Sequence, residues 1–214
     1  MAPAADGAQD GAQTQYAPNP RIQYAEPAYW DQRYKAQPLS FDWFYGWQAL
    51  RKLIRTHLPR RKAVIQIGCG NSNLQEGMAR NGYHVVNVDI SQVVIDQMRE
   101  QHASIPNCTY VLGDCRDLSM FGNCHFYGAI EKGTIDALVC SPDSAVNIHR
   151  MCMELLRVLQ PGATFMAISL GEPSQRLPLL CRPEYGWTVS LCLIPRVGAD
   201  AMVPAPGRCD MGLT

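Results

Sequence analysis

The sequence predicts an α/β domain on a doubly wound, mostly parallel sheet. Three observations predict it. Short apolar runs alternate with helix-period stretches from residue 63 to residue 170. The first run, Ala63 to Ile67, ends in two glycines one residue apart, Gly68 and Gly70. The second, His84 to Val88, ends in a carboxylate, Asp89, 19 residues beyond Gly70. Strands separated by helices pair in parallel through right-handed crossovers, and ligands of such sheets sit outside the carboxyl ends of the strands.

Each element has its own reason. Residues 1–20 hold mainly Ala, Gly, Gln and Pro with two acids and no Lys or Arg, so a disordered tail is expected there. Residues 21–60 form an aromatic lid and a leading helix: three of the four tryptophans fall between Trp30 and Trp47, and the second half has helix spacing. The domain proper spans 61–194. Leu74–Arg80 is its first helix. Ser91 is a suitable N-cap for a helix from Gln92 to about His102, with Val94 and Met98 one turn apart. Thr109–Leu112 is a third strand running on to Asp114. Phe126–Glu131 is a fourth, weakened by Gly128. Ile148, Met151, Cys152, Leu155, Leu156 and Leu159 make a continuous helical stripe. The sequence QPGA stops that helix, and Thr164–Leu170 is a fifth strand. GWTVSLCLIP reads as a sixth, and residues 195–214 as an irregular tail with no apolar β run.

Composition narrows the partners. Lys plus Arg and Asp plus Glu are both 19, which argues against nucleic acid. No apolar stretch approaches the ~20 residues of a membrane span. The nine cysteines form no C-x-x-C pair and match no zinc spacing, so no metal is expected. Their odd number, with no secretory signal, favours reduced thiols in the cytoplasm.

The ligand follows from the loop and the acids. Gly68 and Gly70 lie where the first strand turns into its helix, where positive φ lets backbone N–H groups approach a ligand. Asp89 is placed to accept both hydroxyls of a ribose, and Asp114 to reach an adenine edge, so the ligand carries an adenosine. A dinucleotide loop wants a third glycine; here the run is GCGNSN, with Asn73 in that place. Asn71 and Ser72 suit a zwitterionic amino-acid tail better than a diphosphate. The run RVLQPG before the fifth strand is a habit of S-adenosylmethionine enzymes. S-adenosylmethionine is therefore the expected cofactor, with NAD, or a domain holding no ligand, as the alternatives.

Five segments sharpen this: YWDQRY (29–34), DWF (42–44), GCGNS (68–72), VDIS (88–91) and EKGTIDAL (131–138). In this order and spacing they resemble the elongation factor 1-alpha lysine methyltransferases, including the methyltransferase-like protein 13 group. The resemblance covers about residues 24–190 and implies a Rossmann-like class I methyltransferase fold acting on a protein lysine, with elongation factor 1-alpha a candidate substrate. By that likeness Trp30, Tyr34 and Trp43 fold over the cofactor, Gly68 lines its methionine and ribose, and Asp89 takes the ribose hydroxyls. Ile90 lies beside the adenine, Asp114 and Cys115 meet its edge, and Lys132 sits at the rim. Each has a structural alternative: core anchors for the tryptophans, a cap for Asp89, a turn for Asp114, a solvated lysine for Lys132.

A substrate lysine attacks as a neutral amine. Trp43, Phe44 and Tyr45 are the expected slot that desolvates it, and Glu131 is the candidate acid that orients it, with helix initiation as its structural alternative. Other acceptors, a protein N-terminus or a small molecule, stay open, as does a cofactor-binding module without turnover. The last follows from the C-terminus: class I methyltransferases close their sheet with a seventh, antiparallel strand, and residues 195–214 offer none.

Overall fold

A computed structural model describes residues 22–194. Five strands form one sheet in the order β3-β2-β1-β4-β5, and every pairing is parallel. They are β1 (Ala63–Ile67), β2 (His84–Asp89), β3 (Cys108–Leu112), β4 (Phe126–Lys132) and β5 (Leu159–Ile168). Two helices precede the sheet, α1 (Pro27–Ala36) and α2 (Trp47–His57). The others are α3 (Leu74–Arg80), α4 (Gln92–Gln101), α5 (Thr134–Leu138), α6 (Ser144–Val158) and α7 (Pro173–Leu180).

Both faces of the sheet are covered, as the alternation within β1 requires. Ile65 and Ile67 pack with Ile148, Met151, Cys152 and Leu155 of α6. Val64 points the other way, against Leu50 and Ile54 of α2 and Leu74 and Met78 of α3. A smaller cluster joins Val94, Ile95 and Met98 of α4 to Cys69, Tyr110 and Tyr34 of α1. Ser91 caps α4 as expected, its hydroxyl accepting from Val94 N at 3.3 Å.

Three expectations need correction. The fourth strand is not weak: β4 is a central strand, and Gly128 has a packing reason. A Cβ there would lie 2.9 Å from Leu58 Cδ2, so glycine lets the Leu58 side chain at the end of α2 pack closely on the sheet. The fifth strand starts earlier, at Leu159, which pairs with Phe126; Gly128 then pairs with Thr164, so the residues between bulge out. The predicted sixth strand does not form. Trp187 packs at 5.9 Å from Phe165 and donates from Nε1 to Leu180 O at 2.6 Å, and the stretch beyond it adds no strand to the sheet. An apolar run becomes a strand only where a neighbour satisfies its N–H and C=O groups in sequence; here Ser190 makes only an isolated bridge, and Ile194 O accepts from the Tyr45 hydroxyl at 3.3 Å. The expected tails, 1–20 and 195–214, lie outside the described residues, so the seventh strand does too.

Candidate active site

The carboxyl ends of β1, β2 and β4 bring most of the expected residues together. Gly68 and Gly70 both have positive φ, 59° and 54°. Side chains are crowded out as well: a Cβ on Gly68 would lie 2.0 Å from Thr134 Oγ1, and one on Gly70 would press on the Tyr34 hydroxyl at 2.9 Å. Asp89 is 6% exposed at the end of β2. Its Oδ2 accepts from Gly70 N at 2.8 Å and its Oδ1 from Ser91 N at 3.0 Å. Burial pushes the carboxyl up to about 6 against the pull of the Ser91, Gly70 and Ile90 N–H groups. Asp89 is therefore mostly ionised at neutral pH, and each oxygen keeps a lone pair for a further donor. Ile90, beside it, is half-buried.

The aromatic segment closes over this loop. Trp30 and Tyr34 stack with ring centroids 5.8 Å apart, and Trp30 Nε1 donates to Tyr24 O at 2.7 Å. Asp31 fixes α1 to α4, its Oδ1 accepting from Ser91 Oγ at 2.5 Å. Residues 37–42 are then laced to the glycine loop. Asn71 Nδ2 donates to Leu39 O at 2.7 Å, Phe41 N to Asn71 O at 3.1 Å, and Ser72 Oγ to Asp42 Oδ1. This corrects the sequence reading of Asn71 and Ser72: their side chains hold the lid rather than standing free for an amino-acid tail. A cavity of about 330 Å³ lies under the segment, lined among others by Arg33, Tyr34, Phe41 and Asn71.

Lys132 is not a solvated lysine. It is 6% exposed, and its Nζ lies 3.0 Å from Trp43 O and 3.4 Å from Asp42 Oδ1. Burial lowers its pKa, against the pull of Asp42. It fastens the DWF turn to the end of β4, so its place at the rim is structural. In that turn Phe44 has a φ of 66°, a left-handed conformation unusual for a bulky residue. The rings of Phe41 and Trp43 meet edge to face at 5.2 Å, and the Arg33 guanidinium lies over both, 5.3 and 5.2 Å from their centroids.

Two expected roles are not supported by the geometry. Glu131 is fully buried; its Oε2 accepts from Thr134 N at 2.8 Å and Ile135 N at 3.2 Å, and its Oε1 is buried without a bond. Burial pushes its carboxyl up to about 8. These contacts with the first turn of α5 favour the helix-initiating alternative. Asp114 turns its carboxylate onto its own neighbour, Arg116, with Nε 2.9 Å from both oxygens and Nη2 2.6 Å from Oδ2. Cys115 beside it is half-buried, its thiol raised by burial.

Sequence reasoning missed Asp31, Ser40, Asp42, Thr134 and Asp136. Thr134 Oγ1 donates to Ile67 O at 3.1 Å under Gly68, and Asp136 pairs with Arg176 at 2.8 Å, tying α7 to α5. The signal was present for four of them, since Asp31, Asp42, Thr134 and Asp136 stand inside YWDQRY, DWF and EKGTIDAL. Short polar residues in a motif are easily read as turn formers when their long-range partners are unknown. The residues present fit an adenosyl ligand: a side-chain-free cradle, a buried carboxylate with spare lone pairs at the next strand end, and stacked rings alongside.

Comparison with known proteins agrees with this geometry. Residues 64–162 match the family model described as a methyltransferase domain. The EEF1A lysine methyltransferase 4 of Mus musculus is 31% identical over 183 residues, 80% of this chain and 71% of that protein. The eEF1A lysine and N-terminal methyltransferase of Xenopus laevis is 31% identical over 179 residues, 80% of this chain but 26% of its own length. Among solved structures, the PH0226 protein from Pyrococcus horikoshii OT3 superposes with a TM-score of 0.53 at 24% identity, over 75% of this chain and 73% of that one. A Haemonchus contortus phosphoethanolamine N-methyltransferase 1, solved with S-adenosylhomocysteine, also gives 0.53, at 20% identity, over 72% of this chain and 33% of that one. The two structures share the fold. The chain therefore belongs to the methyltransferase family that includes the EEF1A lysine methyltransferases, with the class I fold and S-adenosylmethionine as cofactor.

Proposed function

We propose that this chain methylates a lysine ε-amine of a protein, with translation elongation factor 1-alpha as the first candidate. The observation that carries the reading is the aromatic segment laced to the glycine loop through Asn71, Ser72 and Lys132, in a chain 31% identical to relatives named for that reaction. Gly68, Gly70 and Asp89 hold the cofactor's adenosine, and Trp30 and Tyr34 cover it. S-adenosylmethionine supplies the activated methyl group. Protein residues then position the amine and keep it neutral.

Deprotonating a lysine near pH 7 costs about 4–5 kcal/mol. An apolar, aromatic slot lowers that cost by desolvating the ammonium. In this chain Phe41 and Trp43 are the better slot than Trp43, Phe44 and Tyr45, because Arg33 already shows that their faces accept a cation. Most of the rate then comes from orientation. Such an enzyme would work in the cytoplasm, where its protein substrate is found.

The test is methyl transfer from labelled S-adenosylmethionine into purified elongation factor, with mass spectrometry of the product. A mass gain on a lysine supports the reading. Label on the protein N-terminus instead would support the second activity that some relatives are named for. No incorporation, with cofactor binding intact, would overturn the catalytic reading.

A further inference from the structure

The opposite end of the sheet carries a second concave site. A cavity of about 610 Å³ opens at the amino ends of β4 and β5, between the end of α2 and the β5 bulge. Tyr127, the second residue of β4, lines it, and Lys132 at the other end of that strand belongs to the cofactor pole. At ~3.3 Å per residue the two lie roughly 16 Å apart along β4.

The charge around this cavity is one-sided. Residues 43–75 contain no Asp or Glu, and residues 51–62 contain six of the chain's 19 Lys and Arg: Arg51, Lys52, Arg55, Arg60, Arg61 and Lys62. All six are exposed. Among the described residues none of them pairs with a carboxylate. None of the residues lining the cavity is acidic.

Two of the cations are held in place. Asn81, in the turn after α3, takes Arg55 Nη2 on its Oδ1 at 2.7 Å and Arg60 Nε on its backbone oxygen at 2.9 Å. Asn81 is itself fixed, its Nδ2 donating to Gly77 O at 2.8 Å. Both guanidiniums line the cavity with donors to spare. The third cation, Lys62, lies 4.6 Å over the ring of Tyr127, which is 39% exposed in the cavity wall.

We infer that this pole is a binding site for the phosphodiester backbone of single-stranded nucleic acid. An acidic protein surface would need only the charge. Two pinned guanidinium forks suit phosphate oxygens, and an exposed aromatic ring beside them offers a face for a base. The site is independent of the methyl-transfer reading. Neutrality of the whole chain, which argued against nucleic acid, averages over this pole and hides it.

The test is fluorescence anisotropy of a labelled twelve-residue oligouridine with the full chain, at 50 and 200 mM salt. If Arg55, Arg60 and Lys62 each neutralise a phosphate, affinity should fall about 20-fold across that range. Arg55→Gln with Arg60→Gln should weaken binding at least tenfold at 50 mM and cut the salt effect to about threefold. Arg150→Ala, which removes an exposed cation on α6, should change neither. Thermal melts confirm that each variant is folded, and Asn81→Ala, which removes the side-chain acceptor of Arg55 but keeps the backbone oxygen that holds Arg60, should weaken binding by less than the double change. The inference is overturned if oligouridine fails to bind, if the double variant binds as tightly as the natural chain, or if poly-glutamate binds as tightly as the oligouridine.

Discussion

Replacing Glu131 with glutamine separates a buried positioning acid from one that handles substrate. Glutamine keeps an oxygen for Thr134 N and Ile135 N, and it resembles the neutral acid that burial imposes. A carboxyl held at about 8 in the folded chain, against an ordinary value near 4.5, binds a proton that the unfolded chain has already lost. Between these two values the folded state holds more protons, so the natural chain loses stability as pH rises, by up to about 1.4 kcal/mol per pH unit. Above pH 8 both states have lost the proton and the loss levels off. Glu131→Gln removes this one titration while the others are shared. The variant's advantage should therefore grow by about 2 kcal/mol from pH 6 to pH 8 and flatten beyond. Paired denaturant titrations across pH 6–9 measure it, and methyl transfer is assayed alongside at pH 7.5, where kcat should stay within about threefold. A constant difference across that range would refute the buried-acid argument. A large fall in kcat with stability and cofactor affinity intact would return Glu131 to a catalytic role. Glu131→Ala is a different perturbation: it leaves two backbone donors at the start of α5 unpaired, at about 1–3 kcal/mol each, and should lower the melting temperature markedly.

Further outcomes follow from the cofactor pole. Asp89→Ala should weaken S-adenosylhomocysteine binding by two orders of magnitude or more by titration calorimetry, since two charge-assisted bonds of about 1.5–3 kcal/mol each are lost; Asp89→Asn should lose less, and an unchanged Kd would remove the ribose assignment. In the natural chain the same affinity should fall as pH drops through about 6, where Asp89 takes up its proton; a flat profile between pH 5 and 8 would contradict that. Gly68→Ala forces a left-handed alanine and a Cβ 2.0 Å from Thr134 Oγ1, so at least about 2 kcal/mol of stability should go; a denaturant midpoint within error of the natural chain would mean that the loop relaxes freely. Hydrogen exchange over residues 24–45 should slow when S-adenosylhomocysteine is added, and equal protection with and without it would make the aromatic segment plain scaffold.

The sequence alone determined what depends on neighbours along the chain. Five parallel strands, their order of appearance and the limits of α3 and α4 followed from apolar periodicity, because burial on one or two faces imposes a period on the residues themselves. The glycine loop and Asp89 were legible for a related reason: a position that tolerates no Cβ, and an acid at a strand end, are marked by residue type. Tertiary structure alone decided which polar groups are used up by other parts of the chain. Lys132 in EKG reads as a cofactor-rim residue or a solvated amine until Asp42 and Trp43, about ninety residues earlier, are seen to hold it. Glu131 reads as a catalytic acid or a helix-entry residue, and its bond to the first turn of α5 favours the second. GWTVSLCLIP has the local properties of a strand, yet among the described residues it reaches only an isolated bridge at Ser190, because a strand needs a partner and partners are not written in the segment itself. Charge follows the same rule: the total is near zero by count, but only the fold gathers Arg55, Arg60 and Lys62 around one acid-free cavity.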